Sequence, residues 1–242
     1  MRACVILLNY KRPQNLPRIV SACLRSDHLP VVYVLDNASD DSLGAALEEL
    51  GQRLPAARER LHYRPLRANR GSGERYSFAA TLDYDAFLCI DDDIFLTPAQ
   101  IDALFDAYEA DPRCIHGIWG ERMTIRNREI FMLNGVHGRE TRVLIVNRVY
   151  AFGRQQAQRA CELLKELGYG DWVALGPGSD IVLSYSGEHS PMVHDVGPIM
   201  SCETSDAAGI AVWRRDDFKD RRKTLLNRLR EMRAASVSAR RA

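Results

Sequence analysis

Three consecutive aspartates, Asp91, Asp92 and Asp93, directly follow an apolar run at 86–90, and a helix start follows at 97–98. Such a run predicts a buried strand of a parallel sheet, and the ligands of these sheets bind beyond the carboxyl ends of the strands. Clustered carboxylate oxygens suit Mg²⁺ or Mn²⁺, whose coordination is usually completed by water and substrate phosphates. The pattern therefore predicts a metal and phosphate site, with a solvated acidic turn as the alternative.

The first half of the chain alternates short apolar runs with amphipathic helical segments. This alternation predicts a parallel α/β sheet with right-handed crossovers. The predicted strands are 5–9, 31–35, 61–63 and 86–90, and the helical segments follow each of the first three. Behind the aspartates, Thr97 and Gln100 have the spacing of a capping box, and Asp111-Pro112 ends the helix that this box begins.

The second half has a different pattern, which predicts a mixed region with antiparallel returns. Strands are predicted around 115–119, 130–133 and 143–146, and a helix near 154–167. Asn134-Gly135 and His137-Gly138 are typical turn sequences.

Length and composition favour one main domain. A chain of 242 residues with 46% hydrophobic residues can bury one substantial core, and its six scattered cysteines are typical of a reduced, cytoplasmic protein. Residues 219–242 hold nine Lys or Arg and two acids, a local charge of +7 that leaves −6 for the rest of the chain. This basic segment predicts either peripheral contact with an anionic membrane or a solvated terminal helix. Because the positive charge is confined there, a nucleic-acid partner is not expected.

The order of these features resembles the GT-A fold of nucleotide-sugar glycosyltransferases, and more narrowly the exostosin-type family 64. The stretches that carry the resemblance, in the family's order, are 7–12, 34–37, 69–75, 88–93, 143–145, 179–181 and 209–215. The resemblance implies a single GT-A domain over 1–218, followed by the basic segment 219–242. Its Rossmann-like nucleotide-sugar-binding half is expected over about 1–97 and its acceptor-side half over 98–218, on a mixed central sheet.

The same resemblance implies a divalent metal, Mn²⁺ or Mg²⁺, between the aspartates and the diphosphate of a UDP-sugar donor. Asp93 is the expected direct ligand, and Asp91 a second ligand. Asp91 and Asp92 are also expected near the ribose, the sugar or water on the metal. His194 is a further candidate ligand, with a structural role as the alternative.

Donor contacts are expected from the loops that follow the first three strands. Arg12 and Asn37 match family positions that bind the base and ribose, and turn capping is their alternative role. Arg75 begins the helix after a glycine-containing loop and is expected to hold phosphate, unless it only pairs with surface acids. Asn69 and Arg70 are further candidates on that loop.

Asp180 and Arg215 are the expected catalytic residues. In the resembled family the aspartate lies near the anomeric carbon and the reaction retains configuration, whereas in inverting GT-A enzymes a comparable aspartate is the general base. A helix N-cap is the alternative role for Asp180. Arg215 is expected to approach the diphosphate, or else to pair with the neighbouring acids.

The sequence therefore predicts a metal-dependent transfer of a hexose or N-acetylhexosamine from a UDP-sugar to a glycan or lipid-linked acceptor. A setting at the inner membrane face, in bacterial surface polysaccharide synthesis, is expected. Three alternatives remain open. They are an inverting family-2-like transferase, a sugar-phosphate nucleotidyltransferase, which normally has a glycine-rich loop after the first strand, and a non-catalytic sugar-nucleotide-binding module.

Overall fold

One mixed sheet organises the chain in the computed structural model, which describes residues 1–37, 42–126, 129–206 and 212–239. Within those residues the sheet has nine strands, in the order β3-β2-β1-β4-β9-β6-β10-β8, with β7 also paired to β6. Its strands are β1 Ala3–Asn9, β2 Val31–Asn37, β3 Leu61–Leu66, β4 Ala86–Asp91, β6 His116–Arg126, β7 Glu129–His137, β8 Thr141–Arg142, β9 Ile145–Phe152 and β10 Met192–Val193. The short strands β5 Ile94–Phe95 and β11 Met200–Ser201 pair with each other beside it.

Helices cover both faces of the sheet. They are α1 Leu16–Leu24, α2 Ser42–Arg53, α3 Glu74–Thr81, α4 Pro98–Ala110, α5 Arg154–Glu166, α6 Trp172–Leu175, α7 Ser179–Ser184 and α8 Phe218–Ala239. Short 3-10 turns lie at Pro13–Asn15, Pro55–Arg60, Glu203–Asp206 and Val212–Arg214. The predicted capping box is present at α4, where the Thr97 side chain accepts from the Gln100 amide and the Gln100 side chain accepts from the Thr97 amide.

The parallel part of the sheet sets the position of the aspartates. β1 lies between β2 and β4, and Leu8 is level with both Leu35 and Asp91. Every residue of β1 is buried, as expected of a central parallel strand that is covered on both faces. The ends of β1, β2 and β4 therefore meet at one edge, which confirms the parallel first half predicted from the alternation.

Two details of the predicted second half are wrong. Asn134-Gly135 lies inside β7, where Gly135 pairs with Glu121 of β6, so it is not a turn. The strand expected at 143–146 is replaced by β8 and β9, which flank Val143. β6 and β7 pair with each other over many residues, and this pairing overrides the local turn preference of Asn-Gly. The hairpin between β6 and β7 and the helix after β9 confirm the remaining second-half predictions.

The described part of the basic C-terminal segment, as far as Ala239, lies in α8 and packs on the body of the protein. Leu225, Leu226 and Leu229 are almost fully buried in the same apolar cluster as Ile181 of α7. The apolar face of this helix is therefore used inside the protein. Within the described residues, no helix is both long enough and apolar enough to cross a bilayer.

Segments 38–41 and 207–211 lie outside the described residues. They include the turn expected after the second strand and part of the stretch 209–215 that carries the resemblance.

Candidate active site

A cleft of about 500 Å³ opens at the edge where β1, β2 and β4 end. Residues from both halves of the chain line it. Of the residues predicted from the sequence, the cleft is lined by Arg12, Asn37, Asn69, Arg75, Asp91, Asp92, Asp180 and Arg215. Asp93 is not among the described residues that line the cleft. The structure thus brings together side chains that are far apart in the sequence.

Hydrogen bonds fix the loop after β3 to the end of β2. The Asn37 side-chain amide donates to Asn69 Oδ1 over 2.9 Å, and the Arg70 backbone amide donates to Asn37 Oδ1 over 2.7 Å. The amide of Gly71 donates to the same Asn69 oxygen over 2.8 Å. Both asparagines therefore hold the loop in place at the cleft, where their side chains also form part of its wall.

A tryptophan from the second half packs directly on this loop. A Cβ at Gly73 would lie 2.2 Å from the ring of Trp172, and Gly71 has φ +80° and lies against the Trp172 backbone. Trp172 is 3% exposed and donates through Nε1 to Ser77 Oγ over 2.8 Å. Because a side chain at Gly73 would collide with the indole, the glycine is required by close packing.

Asp91 faces the cleft and is held by a buried arginine. Arg75 Nη2 donates to Asp91 Oδ1 over 2.9 Å, and Arg75 Nε donates to the Ser72 carbonyl over 2.9 Å. Burial raises the pKa of Asp91; Arg75 opposes this rise and the charge of Asp93 adds to it. Arg75 is 6% exposed, so the arginine of this ion pair is buried, unlike the surface pair considered as the alternative.

Asp92 points in another direction, toward the loop after β1. Its Oδ1 accepts from Arg12 Nη1 over 2.7 Å and its Oδ2 accepts from the Tyr10 amide over 2.7 Å. Burial raises the pKa of Asp92 to about 6, against the opposing charge of Arg12. Arg12 also donates through Nη2 to the Thr204 carbonyl over 2.9 Å. The hydrogen bonds of Arg12 and Asp92 therefore connect three segments, which are the loop after β1, the turn after β4 and the segment at Thr204.

The aspartates offer a divalent metal two carboxylates. The Asp91 side chain is 32% exposed, and Asp93 Oδ2 lies 3.6 Å from Arg12 Nη2. Within the described residues no three His, Cys, Asp or Glu side chains converge on one point. Mg²⁺ and Mn²⁺ are commonly held by one or two carboxylates, with substrate phosphates and water as the other ligands. The Asp91 carboxylate, which lines the cleft, suits one such ligand position, and Asp93, whose Oδ2 is near Arg12, is the candidate for the second.

On the second-half side of the cleft, one arginine joins two carboxylates. Arg222 Nη1 donates to both oxygens of Asp180 over 2.8 Å, and Arg222 Nη2 donates to both oxygens of Glu121 over 3.1 Å. Arg222 is 4% exposed. Burial raises the pKa of Glu121; Arg222 opposes this rise and Asp180 adds to it. Asp180 lies in the first turn of α7, which begins at Ser179, but it is not the N-cap, which is Gly178.

Sequence reasoning missed Arg222 and Glu121, although one signal pointed to the arginine. Arg222 precedes Leu225, Leu226 and Leu229 at spacings of three, four and seven residues, which places it on the buried face of α8. An arginine on a buried face requires an acidic partner. Glu121 carries no comparable signal, because β6 is only partly buried along its length.

The two remaining candidates differ in their relation to the cleft. Arg215 lines it and is exposed, and its Nε pairs with Asp217 over 3.2 Å, the alternative partner considered from the sequence. His194 is not among the described lining residues. Its ring pairs with His116 over 2.8 Å and with Glu140 over 2.8 Å, which gives the histidine a structural environment.

Known proteins share both the sequence pattern and the fold. The sequence profile described as Glycosyl transferase family 2 matches residues 4–157. No curated protein matches the sequence. The mannosyltransferase PcManGT from Pyrobaculum calidifontis, in complex with GDP-Man and Mn²⁺, superposes with a TM-score of 0.57 at 18% identity, over 88% of this chain and 59% of that chain. TarS from S. aureus in complex with UDP-GlcNAc superposes with a TM-score of 0.58 at 14% identity, over 93% of this chain and 65% of that one.

The chain spans less than two thirds of each of these two solved proteins. At such identities the likeness concerns the fold, and it confirms the GT-A fold predicted from the sequence. The narrower resemblance to the exostosin-type family 64 is not confirmed, because the matching profile is that of another glycosyltransferase family.

Proposed function

The chain belongs to glycosyl transferase family 2, and from that premise we propose that it transfers a hexose or N-acetylhexosamine from a UDP-sugar to a glycan or lipid-linked acceptor. One observation carries the proposal. The carboxylate of Asp91, at the end of a parallel strand, and the carboxylate of Asp180, at the start of α7, line the same cleft. This combination offers a diphosphate and metal site on one wall and a proton acceptor on the other.

The donor is proposed to lie along the ends of β1, β2 and β4. Asp91 and Asp93 would hold Mn²⁺ or Mg²⁺, which when bound supplies positive charge that stabilises the departing diphosphate. Asn37 and Asn69 support the loop beside the nucleoside, Arg75 positions Asp91, and Arg12 and Asp92 fix the first loop. Arg215, exposed at the rim, is proposed to pair with phosphate once donor is bound.

We assign Asp180 as the general base of an inverting transfer. The acceptor hydroxyl gives its proton to an Asp180 oxygen while the acceptor oxygen bonds to the anomeric carbon. The bond from that carbon to the diphosphate breaks, and its electron pair leaves with the diphosphate. Arg222 contacts both Asp180 oxygens, yet each oxygen retains a second lone pair that can accept the proton. Membership in family 2 supports inversion. The resemblance to family 64 supports retention, in which the diphosphate takes the proton.

Binding and slow hydrolysis of UDP-, GDP- and CMP-sugars, measured with and without Mn²⁺, test this proposal. The solved relatives are in complex with GDP-Man and with UDP-GlcNAc, so these two donors are tested first. We expect Asp93→Asn to abolish metal-dependent donor binding. Asp180→Asn should keep donor affinity within a few fold and lose about 10²- to 10⁴-fold in turnover, the usual contribution of a general base.

The matched control is Asp27→Asn, an exposed aspartate before β2 at the opposite edge of the sheet. It should change neither quantity. Equal loss of donor binding in the Asp93 and Asp180 variants would contradict the assigned roles. Donor binding with neither hydrolysis nor transfer by the unchanged protein would favour a non-catalytic binding module. The anomeric configuration of the product, read by NMR, decides between inversion and retention.

A cytoplasmic setting in bacterial surface polysaccharide synthesis, at the inner membrane face, is part of the proposal. Because the leucines of α8 are buried, membrane contact would be electrostatic and made by exposed basic residues such as Arg228 and Arg233. Sedimentation with anionic vesicles at low salt, lost at high salt and absent with zwitterionic vesicles, is the expected result. Equal binding to both kinds of vesicle, or to neither, would contradict it.

A further inference from the structure

A second cavity, of about 560 Å³, opens next to the proposed donor cleft. We call it the side cavity. It is lined by Trp119, Gly120, Glu121, Leu133, Gly135, Asn147, Arg148, Phe218, Lys219, Arg222 and Lys223. Glu121, Asn147, Arg148, Phe218 and Arg222 line both the cleft and the side cavity. The two spaces therefore adjoin at the Arg222 bridge between Glu121 and Asp180.

We propose that the side cavity binds the acceptor and selects an acceptor sugar that carries an anionic group, a phosphate or a carboxylate. This inference rests on the proposed function and adds the chemical class of the acceptor. A sugar in the side cavity would lie beside Glu121 and Arg222, and Arg222 joins this wall to Asp180 in the donor cleft. Its hydroxyl would then have a proton acceptor at the boundary with the donor cleft.

The charges that line the side cavity favour an anion. Glu121 is the one carboxylate among its described lining residues, and Arg222 already pairs with it. Arg148, Lys219 and Lys223 add three positive charges, and no described carboxylate lies within 4.0 Å of their side-chain nitrogens. A cavity lined by charges of one sign raises the local concentration of the opposite ion. An anionic acceptor is thus attracted to a wall on which the described basic side chains outnumber the carboxylates.

The backbone directs Arg148 toward this place. Arg148 has φ +64° within β9. The pairing of β6 with β9 shifts here, since Gly117 faces Tyr150 whereas Trp119 faces Asn147. The extra residue forms a bulge, a device that redirects a side chain and is frequent beside active sites. A left-handed conformation costs a non-glycine residue about 1–3 kcal/mol, so the surrounding structure holds the arginine in place.

The remaining walls suit a sugar ring. The Arg148 guanidinium lies 5.1 Å from the ring centre of Trp119, and Leu133 and Phe218 add apolar surface. Gly135 is paired with Glu121, so both lie on the same face of the β6–β7 hairpin. A Cβ built at Gly135 meets no heavy atom within 4 Å. The glycine therefore leaves open space that a larger side chain would occupy.

The experiment measures binding of paired glycosides to protein whose donor cleft is filled with UDP and Mn²⁺. The probes are methyl glucoside, methyl glucuronide and the 6-phosphate of methyl glucoside, observed by ligand NMR. We expect both anionic probes to bind at least about fivefold more tightly than the neutral one, with a preference that falls as salt rises. The carboxylate and phosphate arms identify which anion is preferred.

Two variants locate the effect. Lys219→Gln combined with Lys223→Gln should remove most of the anionic preference, whereas Lys165→Gln, an exposed lysine of α5, should leave it intact. Gly135→Leu should remove binding of all three probes, and its thermal unfolding midpoint verifies that the variant is folded. UDP binding by the same samples is measured in parallel.

If the unchanged protein binds neither UDP nor a nucleotide-sugar donor, the proposed function itself is refuted. With UDP bound, four results would refute the anionic acceptor alone. They are equal binding of neutral and anionic probes, no binding of any probe, a preference unaffected by the double lysine change, and binding that survives Gly135→Leu.

Discussion

Arg222→Met should destabilise the protein far more than the loss of an ordinary surface arginine. Methionine keeps much of the length and the apolar stem of the side chain but removes the charge. Asp180 and Glu121 would then face each other without the cation that now contacts all four of their carboxylate oxygens over 2.8–3.1 Å. The result would be two facing carboxylates that have lost their shared cation, although Asn147 Nδ2 would still donate to Glu121 over 3.1 Å.

The expected loss of stability follows from burial. The side chains of Arg222, Asp180 and Glu121 are 5%, 15% and 19% exposed. Removing one partner from a buried ion pair costs about 3–5 kcal/mol. Because the two carboxylates retain some contact with solvent, we take the lower end, about 3 kcal/mol. For a chain of this size each kcal/mol lowers the unfolding midpoint by about 2–4 °C, so a decrease of about 6–12 °C is expected.

Thermal and urea unfolding, followed by circular dichroism, provide the assay. Arg159→Met is the matched control. Arg159 is 42% exposed and pairs with Glu166 on the surface, where such pairs contribute about 0–1 kcal/mol. Adding Glu121→Gln to Arg222→Met should recover part of the stability, because one of the repelling charges is removed. The deficit should also shrink at acidic pH, where protonation of Glu121 has the same effect.

An equal, small decrease in the Arg222 and Arg159 variants would refute this reasoning. It would mean that the carboxylates are solvated in solution and that Arg222 is not their required partner. Absence of any coupling between the changes at Arg222 and Glu121 would have the same meaning.

Further predictions concern the loop, the histidine pair and the C-terminal helix. Gly73→Ala should lower the unfolding midpoint and donor affinity, because its methyl group would collide with Trp172, whereas Gly170→Ala, with open space around it, should do neither. Burial lowers the pKa of His116 from its ordinary value of 6.5. The folded protein therefore binds this proton less readily than the unfolded chain, and the stability contributed by neutral His116 above pH 6.5 is lost as the pH falls below it. Unfolding free energies between pH 7.5 and 5 should therefore decline less in His116→Gln than in the unchanged protein, and an identical decline would refute the assignment. Leu226→Ala, at a fully buried position, should cost about 2–5 kcal/mol in urea unfolding, and a loss below 1 kcal/mol would show that α8 is not docked in solution.

The side of the cleft proposed to bind the donor was predictable because its residues directly follow a recognisable local pattern. An apolar run of strand length ends at Asp91, another ends before Asn37, and the residues between them have helical periodicity. Parallel strands bring such ends together at one edge, so the order of the elements was enough to predict a shared cleft. The capping box at Thr97 was predictable for the same reason, since all its contacts lie within four residues.

The direction of each carboxylate was not predictable. Asp91 is the last residue of β4 and Asp92 lies in the turn that follows, so strand alternation does not fix their directions, and the sequence does not say which of them turns inward. The depth of burial and the position of Arg12 decide this, because Arg12 and the Tyr10 amide together occupy both oxygens of Asp92. Asp91 is left on the open side with Arg75.

By itself, the sequence determined the alternation of strands and helices, the acidic strand end and the parallel first half, since these depend on local periodicity and on end-capping residues. Only the tertiary structure decided that a helix predicted as a basic tail supplies Arg222 to the cleft. That contact joins residues 42 and 101 positions apart in the chain. Periodicity indicates that the face bearing Arg222 is buried, but the partner depends on how the packed helix lies across the sheet, which no local pattern encodes.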